Sequence, residues 1–118
     1  MKNEHEFVWE YKGRLIHLYE REIYYIHLEH RVIYVHTKTQ VYPIGSRINE
    51  EEEDFKGLPF IRTHYSYLVH MRHLRMVGHN EVVMRNGTHL PVSKSRNKLV
   101  RETVKNFFED SKNGKIPG

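Results

Sequence analysis

The sequence predicts a mostly β domain with short helices. Short segments rich in β-branched and aromatic residues alternate apolar with polar side chains and are separated by tight turns. Apolar residues at helical spacing occur in only two segments. With 118 residues, the chain is long enough for one domain with a modest core.

The first predicted element is a β-hairpin. Apolar and polar side chains alternate over residues 7–11, Lys12-Gly13 is a turn signal, and residues 14–18 form the returning strand. Strands 23–28 and 32–37 follow, joined by a short polar loop.

Two further features complete the β pattern. A strand at 41–44 contains Pro43, which favours an edge position or a strand end. Strands 81–84 and 88–92 flank Asn86-Gly87. This dipeptide predicts a hairpin in which both turn positions adopt positive φ.

Two helices are predicted. Residues 47–56 form the first, and its acidic run 50–54 is expected to be a solvated face. Residues 95–108 form the second, with Ser93 or Ser95 as a cap. Its apolar stripe comprises Leu99, Val100, Thr103, Val104, Phe107 and Phe108.

These elements predict one domain over residues 7–108. Residues 1–6 are expected to be flexible, and the polar segment 109–118 is expected to be a frayed tail. The chain contains no cysteine, which excludes disulfides and thiolate metal sites. We expect a cytoplasmic protein without membrane association, because no apolar run is long enough for a membrane span or a signal peptide.

The charge is unevenly distributed. The net charge is +4, but the run 50–54 holds five of the 15 carboxylates, so the remainder of the chain carries 19 − 10 = +9. Residues 60–105 contain nine Lys or Arg against Glu81 and Glu102. Such a basic half is typical of a nucleic-acid-binding surface, although a solvated basic surface would give the same pattern.

The segment 60–74 is rich in arginine, histidine and tyrosine, which are poor core formers. It resembles the signature of the LytTR family of bacterial DNA-binding domains, roughly Phe-x-Arg-x-His-x-Ser-Tyr-x-Val-Asn. His70 stands where the family usually has Asn. The matching residues are Phe60, Arg62, His64, Ser66, Tyr67 and Val69.

Other segments extend the resemblance to roughly residues 7–107. Residues 22–27 are similar to the family's Asp-Ile-x-Tyr-Ile-Glu, residues 35–37 to Val-His-Thr, and residues 90–93 with Leu99 to the closing motif. The resemblance implies an elongated arrangement of small antiparallel β-sheets that reads DNA with loops. Family members are transcription regulators, often joined to a receiver domain.

The first candidate DNA-binding element is His30 with Arg31, in the loop between two predicted strands. Arginine can pair bidentately with guanine, and histidine can contact a purine N7. An ordinary polar turn is the alternative. The family resemblance favours DNA contact by this loop.

The second candidate element comprises Arg62, His64, Tyr65 and Ser66. Alternation predicts that Arg62 and His64 share one face of a strand. Ser66 is expected to cap a short following helix, whose free N–H groups would bind a phosphate. Tyr65 is expected to stack on a sugar or bond a phosphate.

The third candidate element comprises Lys94, Ser95, Arg96 and Lys98, at the start of the last predicted helix. A helix N-terminus offers free N–H donors, and the cations attract phosphates. The resemblance implies base contact by an arginine here, which we assign to Arg96. Arg85 is predicted to contact a phosphate.

These observations predict a sequence-specific double-stranded DNA-binding domain that acts in transcription control without a cofactor or enzymatic activity. The family implies a monomer that pairs on two repeated sites. An RNA-binding or protein-interaction β-module is the alternative, because the eight tyrosines could stack on bases. A metal site at His70 and His73 is disfavoured, because no acidic residue lies near that pair in the sequence.

Overall fold

The computed structural model describes residues 4–46 and 53–114. This part of the chain folds into ten strands and a C-terminal helix, α1 (Asn97–Lys112). The strands are β1 (Glu6–Tyr11), β2 (Arg14–Tyr19), β3 (Tyr25–Glu29), β4 (Val32–His36), β5 (Val41–Gly45), β6 (Phe60–His64), β7 (Tyr67–His70), β8 (Leu74–Val77), β9 (Glu81–Met84) and β10 (His89–Pro91).

The strands form three antiparallel sheets, which confirms the predicted fold class. β1 pairs with β2, the central sheet has the order β5-β4-β3-β7-β6, and a third sheet has the order β10-β9-β8. Pro43 lies in β5, at the edge of the central sheet as predicted. The strand β7 joins the centre of this sheet to its other edge, β6.

Two hydrophobic cores lie on opposite faces of the central sheet. Alternate residues of β3 point to different faces, so Ile26 joins the first core with Trp9, while Tyr25 joins the second with Val104. The first core therefore lies against the β1–β2 sheet. The second is closed by α1 and the third sheet.

The predicted hairpins are confirmed, but the Asn86-Gly87 turn differs from the prediction. Gly87 has a φ of 92°, whereas Asn86 is not among the described residues with positive φ. The Gly87 N–H donates to the Met84 carbonyl at 2.9 Å, and the Met84 N–H donates to the Thr88 carbonyl at 2.8 Å. The loop therefore has three residues, 85–87, with only its last in the left-handed region.

The segment after Ser66 is a strand rather than the predicted helix. Tyr67 to His70 form β7, which pairs with both β3 and β6. The prediction that Ser66 caps a helix is therefore wrong. The β-branched and aromatic residues of this segment fit between two strands, and only one short 3₁₀ turn, Met71–His73, follows.

The C-terminal helix is confirmed but shifted. It runs to Lys112, so the beginning of the predicted frayed tail is helical. Neither serine caps it: the chain passes from the 3₁₀ turn Lys94–Arg96 directly into α1, and its N-cap, Arg96, makes no side-chain capping bond.

The apolar stripe of α1 is narrower than predicted. Val100 and Val104 are buried and Phe107 and Phe108 pack against the same core, whereas Leu99 is 62% exposed. At 100° per residue, Leu99 lies off the face that the other four residues share.

The ends of the predicted domain and its first helix are only partly described. β1 begins at Glu6, one residue before the predicted start. Most of the predicted helix 47–56 lies outside the described residues, although Glu53 and Asp54 are helical. Among the helices of the described chain, none is both long and apolar enough to cross a membrane.

Candidate nucleic-acid interface

Two hairpin turns lie side by side at one end of the central sheet. His30 and Arg31 join β3 to β4, while Tyr65 and Ser66 join β6 to β7. β3 and β7 are antiparallel neighbours, and the Leu28 N–H donates to the Ser66 carbonyl at 3.0 Å. The first two predicted elements therefore lie together.

The third predicted element lies beside the second. The Ser93 N–H donates to the Thr63 carbonyl at 2.9 Å, which fixes the start of the 3₁₀ turn Lys94–Arg96 against β6. Ten of the eleven predicted site residues thus come from segments that meet at one end of the central sheet. We call these segments, 30–31, 62–66 and 94–98, the tip surface.

The turn of His30 and Arg31 is strained. Their φ values are 51° and 66°, and Glu29 pairs directly with Val32, so the turn has two residues with left-handed backbones. Turns of this kind usually contain Asn or Gly, because other L-residues disfavour positive φ. Both side chains are exposed, so the turn presents an imidazole and a guanidinium to solvent.

Side chains brace the Tyr65–Ser66 turn from within. Arg62 Nη1 donates to the Tyr65 carbonyl at 2.8 Å. The Ser66 N–H donates to His64 Nδ1 at 3.0 Å, so this N–H is not available to a phosphate as predicted. With Nδ1 accepting, a neutral His64 carries its proton on Nε2. Tyr65 is 70% exposed at the end of the turn.

Arg62 and His64 lie on either side of the fully buried Thr63. The register shifts between Arg62 and His64, which is a β-bulge in the pairing of β6 with β7. A bulge bends its strand and redirects the side chains around it. The bulge therefore lies directly before the turn that contains Tyr65.

The start of α1 presents cations. Lys94, Ser95 and Lys98 are exposed, and Arg96 is partly exposed. The Arg96 N–H donates to the Ser93 carbonyl and the Asn97 N–H donates to the Lys94 carbonyl, so the 3₁₀ turn already uses the first N–H group of α1. The first turn of α1 contains no acidic residue. This end of the helix is therefore electrostatically suited to an anion.

Arg85 lies apart from the tip surface. The backbone N–H of Arg85 donates to the His73 carbonyl at 2.7 Å, and the side-chain Nε donates to the Arg72 carbonyl at 3.4 Å. His73 follows the end of β7 that is distant from Ser66. A four-residue strand spans about 13 Å, so Arg85 and the tip surface occupy opposite ends of the sheet.

Three buried polar side chains within or next to the tip surface are not among the predicted site residues. The oxygen atoms Thr63 Oγ1, Ser93 Oγ and Asn97 Oδ1 are buried and accept or donate no hydrogen bond within the described chain. They flank the junction between β6 and α1. Small polar residues such as these give no sequence signal for such a junction.

A row of rings continues from the tip surface along the central sheet. His27 stacks on Tyr67 with centroids 4.6 Å apart, and Tyr25 stacks on His36 at 4.0 Å. Burial, followed by the charge of Tyr67, raises the pKa of Tyr25. Burial lowers the pKa of His27, although Glu29 opposes this effect. These rings are therefore neutral near pH 7.

We expect the free energy of unfolding to decrease as the pH falls from about 6.5 toward 4. Burial, and then the charge of His27, lower the pKa of His36 from 6.5 to about 4. Between these values the unfolded chain binds more protons than the folded chain, so acid favours unfolding. Stability from this source is complete above about pH 6.5 and is lost as the pH approaches 4.

Urea unfolding at several pH values, with His36→Gln and His79→Gln compared with the parent, measures this effect. His36→Gln should flatten the pH dependence, whereas exposed His79 is the control. Some dependence should persist, because burial also lowers the pKa of His70 and His73. If the His36→Gln and parent curves are parallel, His36 does not contribute.

The structure engages the His70 ring, one of the two considered as metal ligands, in contacts within the domain. His70 is fully buried, its Nδ1 accepts from the Arg72 N–H at 3.2 Å, and its Nε2 lies 3.1 Å from Glu20 Oε2. Burial, with the charges of His73 and Arg72, lowers the pKa of His70 to about 3. No metal-binding group of three or more His, Asp or Glu residues exists in the described chain.

Comparisons with known proteins show the family through a family model and the fold through a solved structure. The family model for the LytTr DNA-binding domain matches residues 13–105. A comparison with curated proteins returned no match. Among solved structures, the chain is similar to the LytTr DNA-binding domain of a Bacillus cereus protein described as a methyl-accepting/DNA response regulator. The TM-score is 0.71 with 21% sequence identity, over 84% of this chain and 95% of that chain.

Proposed function

Because the chain belongs to the LytTR family of DNA-binding domains, we propose that it recognises a specific sequence of double-stranded DNA through the tip surface. The observation that supports this proposal most directly is the meeting of three distant segments at one end of the sheet. Cations from these segments form one surface. Segments 62–66 and 94–98 contain no carboxylate, whereas Glu29, next to the first turn, lies 3.6 Å from His30 Nδ1.

The proposed roles follow from exposure and hydrogen bonding. Arg31 projects from a two-residue turn, and Arg96 lies at the start of α1. In this proposal both enter a major groove and pair with guanine. Lys94 and Lys98 are exposed point charges that suit phosphates, and the hydroxyl of Ser95 lies between them in the sequence. These roles require binding and no chemical step.

The remaining predicted site residues have more restricted roles. His30 contributes a ring beside Arg31, and His64 donates from Nε2 to a phosphate or a base acceptor, because its Nδ1 is engaged by Ser66. Arg62 is a positioning residue that holds the Tyr65 carbonyl, and Tyr65 packs on the sugar-phosphate backbone. Arg85 lies outside this interface, since it is at the opposite end of the sheet.

We further propose that the domain acts in bacterial transcription control, as the output domain of a response regulator, in the cytoplasm. It is a monomer in solution, and two copies occupy repeated sites on one duplex. The domain measures 42 × 40 × 24 Å, and half-sites one turn of DNA apart are ~34–36 Å from centre to centre. Two copies bound one turn apart on the same face would be adjacent without overlap if the 24 Å axis of each lies along the duplex.

Selection of bound duplexes from a random pool tests the specific-sequence proposal. We expect enrichment of one motif, present twice at a fixed spacing in the tightest sequences. Analytical ultracentrifugation should show a monomer alone and two copies on such a duplex. A pool without an enriched motif would overturn sequence-specific reading, and tighter binding to single-stranded RNA would favour the RNA-binding alternative.

A further inference from the structure

A groove of about 430 Å³ opens at the end of the domain opposite to the tip surface. The last turns of α1 form one wall, and the 3₁₀ turn after β7 together with the β9–β10 loop forms the other. Its volume lies within the usual range for small-molecule sites. Nothing in the proposed DNA recognition uses this groove.

The apolar part of the groove belongs to the second core. Phe107 and Phe108 are partly buried against that core, and Met71 is 8% exposed. Two aromatic rings and a thioether therefore border a space that remains open to solvent. An aromatic or aliphatic body placed there would bury apolar surface on side chains that the core already holds in position.

The polar part of the groove is cationic. Arg72, Arg85 and Lys112 line it, and none of its lining residues carries a carboxylate. Arg72 Nε lies 4.0 Å from Glu20 Oε2, so part of this charge is already compensated. Arg85 and Lys112 remain as the main source of positive potential.

Arg85 is held in place at the groove. Its backbone N–H and its Nε both bond to carbonyls of the 3₁₀ turn, at 2.7 Å and 3.4 Å. The Nε bond uses one of five guanidinium donors, and the terminal amino groups have the fork geometry that matches a carboxylate. The carboxyl end of α1 disfavours an anion, but Lys112 in its last turn opposes that effect.

We propose that this groove binds a small organic monoanion whose apolar body packs on Phe107 and Phe108 and whose carboxylate pairs with Arg85. A ligand that fills both halves of the groove needs an apolar body and a negative charge in one molecule. An inorganic anion would use only the cations, and a neutral aromatic compound would use only the rings. The proposal is independent of which DNA sequence the tip surface recognises.

Titration of the ¹⁵N-labelled chain with 2-naphthoate, followed by amide chemical shifts, tests the proposal. We expect saturable shifts confined to the 3₁₀ turn, Arg85 and the last turns of α1. Inorganic phosphate and the neutral 2-naphthalenemethanol, used as separate probes, should each bind at least about tenfold more weakly.

Three exposed positions provide the variants, so the fold is preserved. Arg85→Ala should weaken naphthoate binding about tenfold, since it removes a charge-assisted hydrogen bond. Ser111→Phe, at the edge of the groove, should abolish binding by filling it. Lys105→Ala removes one charge elsewhere on α1 and should change the affinity less than about twofold.

Several outcomes would overturn the proposal. They are equal affinity for the acid and the alcohol, equal affinity for naphthoate and phosphate, an equal loss in Lys105→Ala and Arg85→Ala, and shifts centred on residues 94–98. The absence of saturable shifts up to about 10 mM naphthoate, tenfold above a millimolar dissociation constant, would also overturn it. DNA binding by the Arg85→Ala and Ser111→Phe variants should match the parent, which separates this site from the tip surface.

Discussion

Raising the salt concentration from about 50 to 200 mM should weaken duplex binding by about 250- to 1,000-fold. The exposed cations of the tip surface would displace condensed counterions from about four to six phosphates, which gives a slope of about −4 to −5 for log affinity against log salt. Lys94 and Lys98 are assigned to phosphates directly, and Arg31 and Arg96 also displace counterions, because they bring positive charge into the groove while they pair with bases.

Fluorescence anisotropy of a labelled duplex at several salt concentrations measures the slope. Lys94→Ala and Lys98→Ala should each make the slope shallower by about one unit, because each removes one phosphate contact. Lys105→Ala, an exposed substitution farther along α1, is the matched control and should leave the slope unchanged. A flat salt response in the parent would contradict binding through this surface.

Arg31→Ala and Arg96→Ala should each weaken binding to the selected duplex by about 1–3 kcal/mol more than binding to a random duplex. Such a difference is typical of an arginine that pairs bidentately with a guanine. An arginine that contacts phosphates alone would lose the same affinity on both duplexes. The comparison therefore separates base reading from electrostatic attraction.

The same measurement on Arg85→Ala gives the control, because that substitution also removes one arginine from an exposed position. We expect its affinity for either duplex to change by less than about twofold, since Arg85 lies at the opposite end of the sheet. Equal losses on selected and random duplexes for Arg31→Ala and Arg96→Ala would remove both from the base-reading set. A large loss for Arg85→Ala would extend the interface beyond the tip surface.

The strands that alternate clearly between apolar and polar residues were predictable from sequence. The hairpin at Lys12-Gly13 and the edge position of Pro43 follow from local turn chemistry and from a missing N–H donor. The family resemblance added the expectation that the strands form several small sheets. The comparisons confirm this expectation. It was predictable because the resemblance depends on the order of motifs along most of the chain.

Other features depended on tertiary contacts and were not predictable from local patterns. Ser66 precedes a strand because β7 pairs with both β3 and β6, and the pairing with β3 joins residues far apart in the sequence. The extension of α1 to Lys112 depends on the packing of Phe107 and Phe108 against the second core. Local sequence also gave no means to separate Arg85 from the tip surface, since only the fold sets their positions.

The tip surface depends on long-range pairings, and these pairings determine when it can form during translation. The turn of Arg31 meets the turn of Ser66 only after β7 has paired with β3, and Lys94 is placed only after Ser93 has bonded to Thr63. Such contacts between distant residues form late, because the loops between them must close first. At about 5–20 residues per second, the ribosome needs roughly 3–13 s to add the chain between the first turn and Arg96. A nascent chain that exposes only the first turn should therefore have little affinity for DNA, and competence to bind arises when the domain is complete.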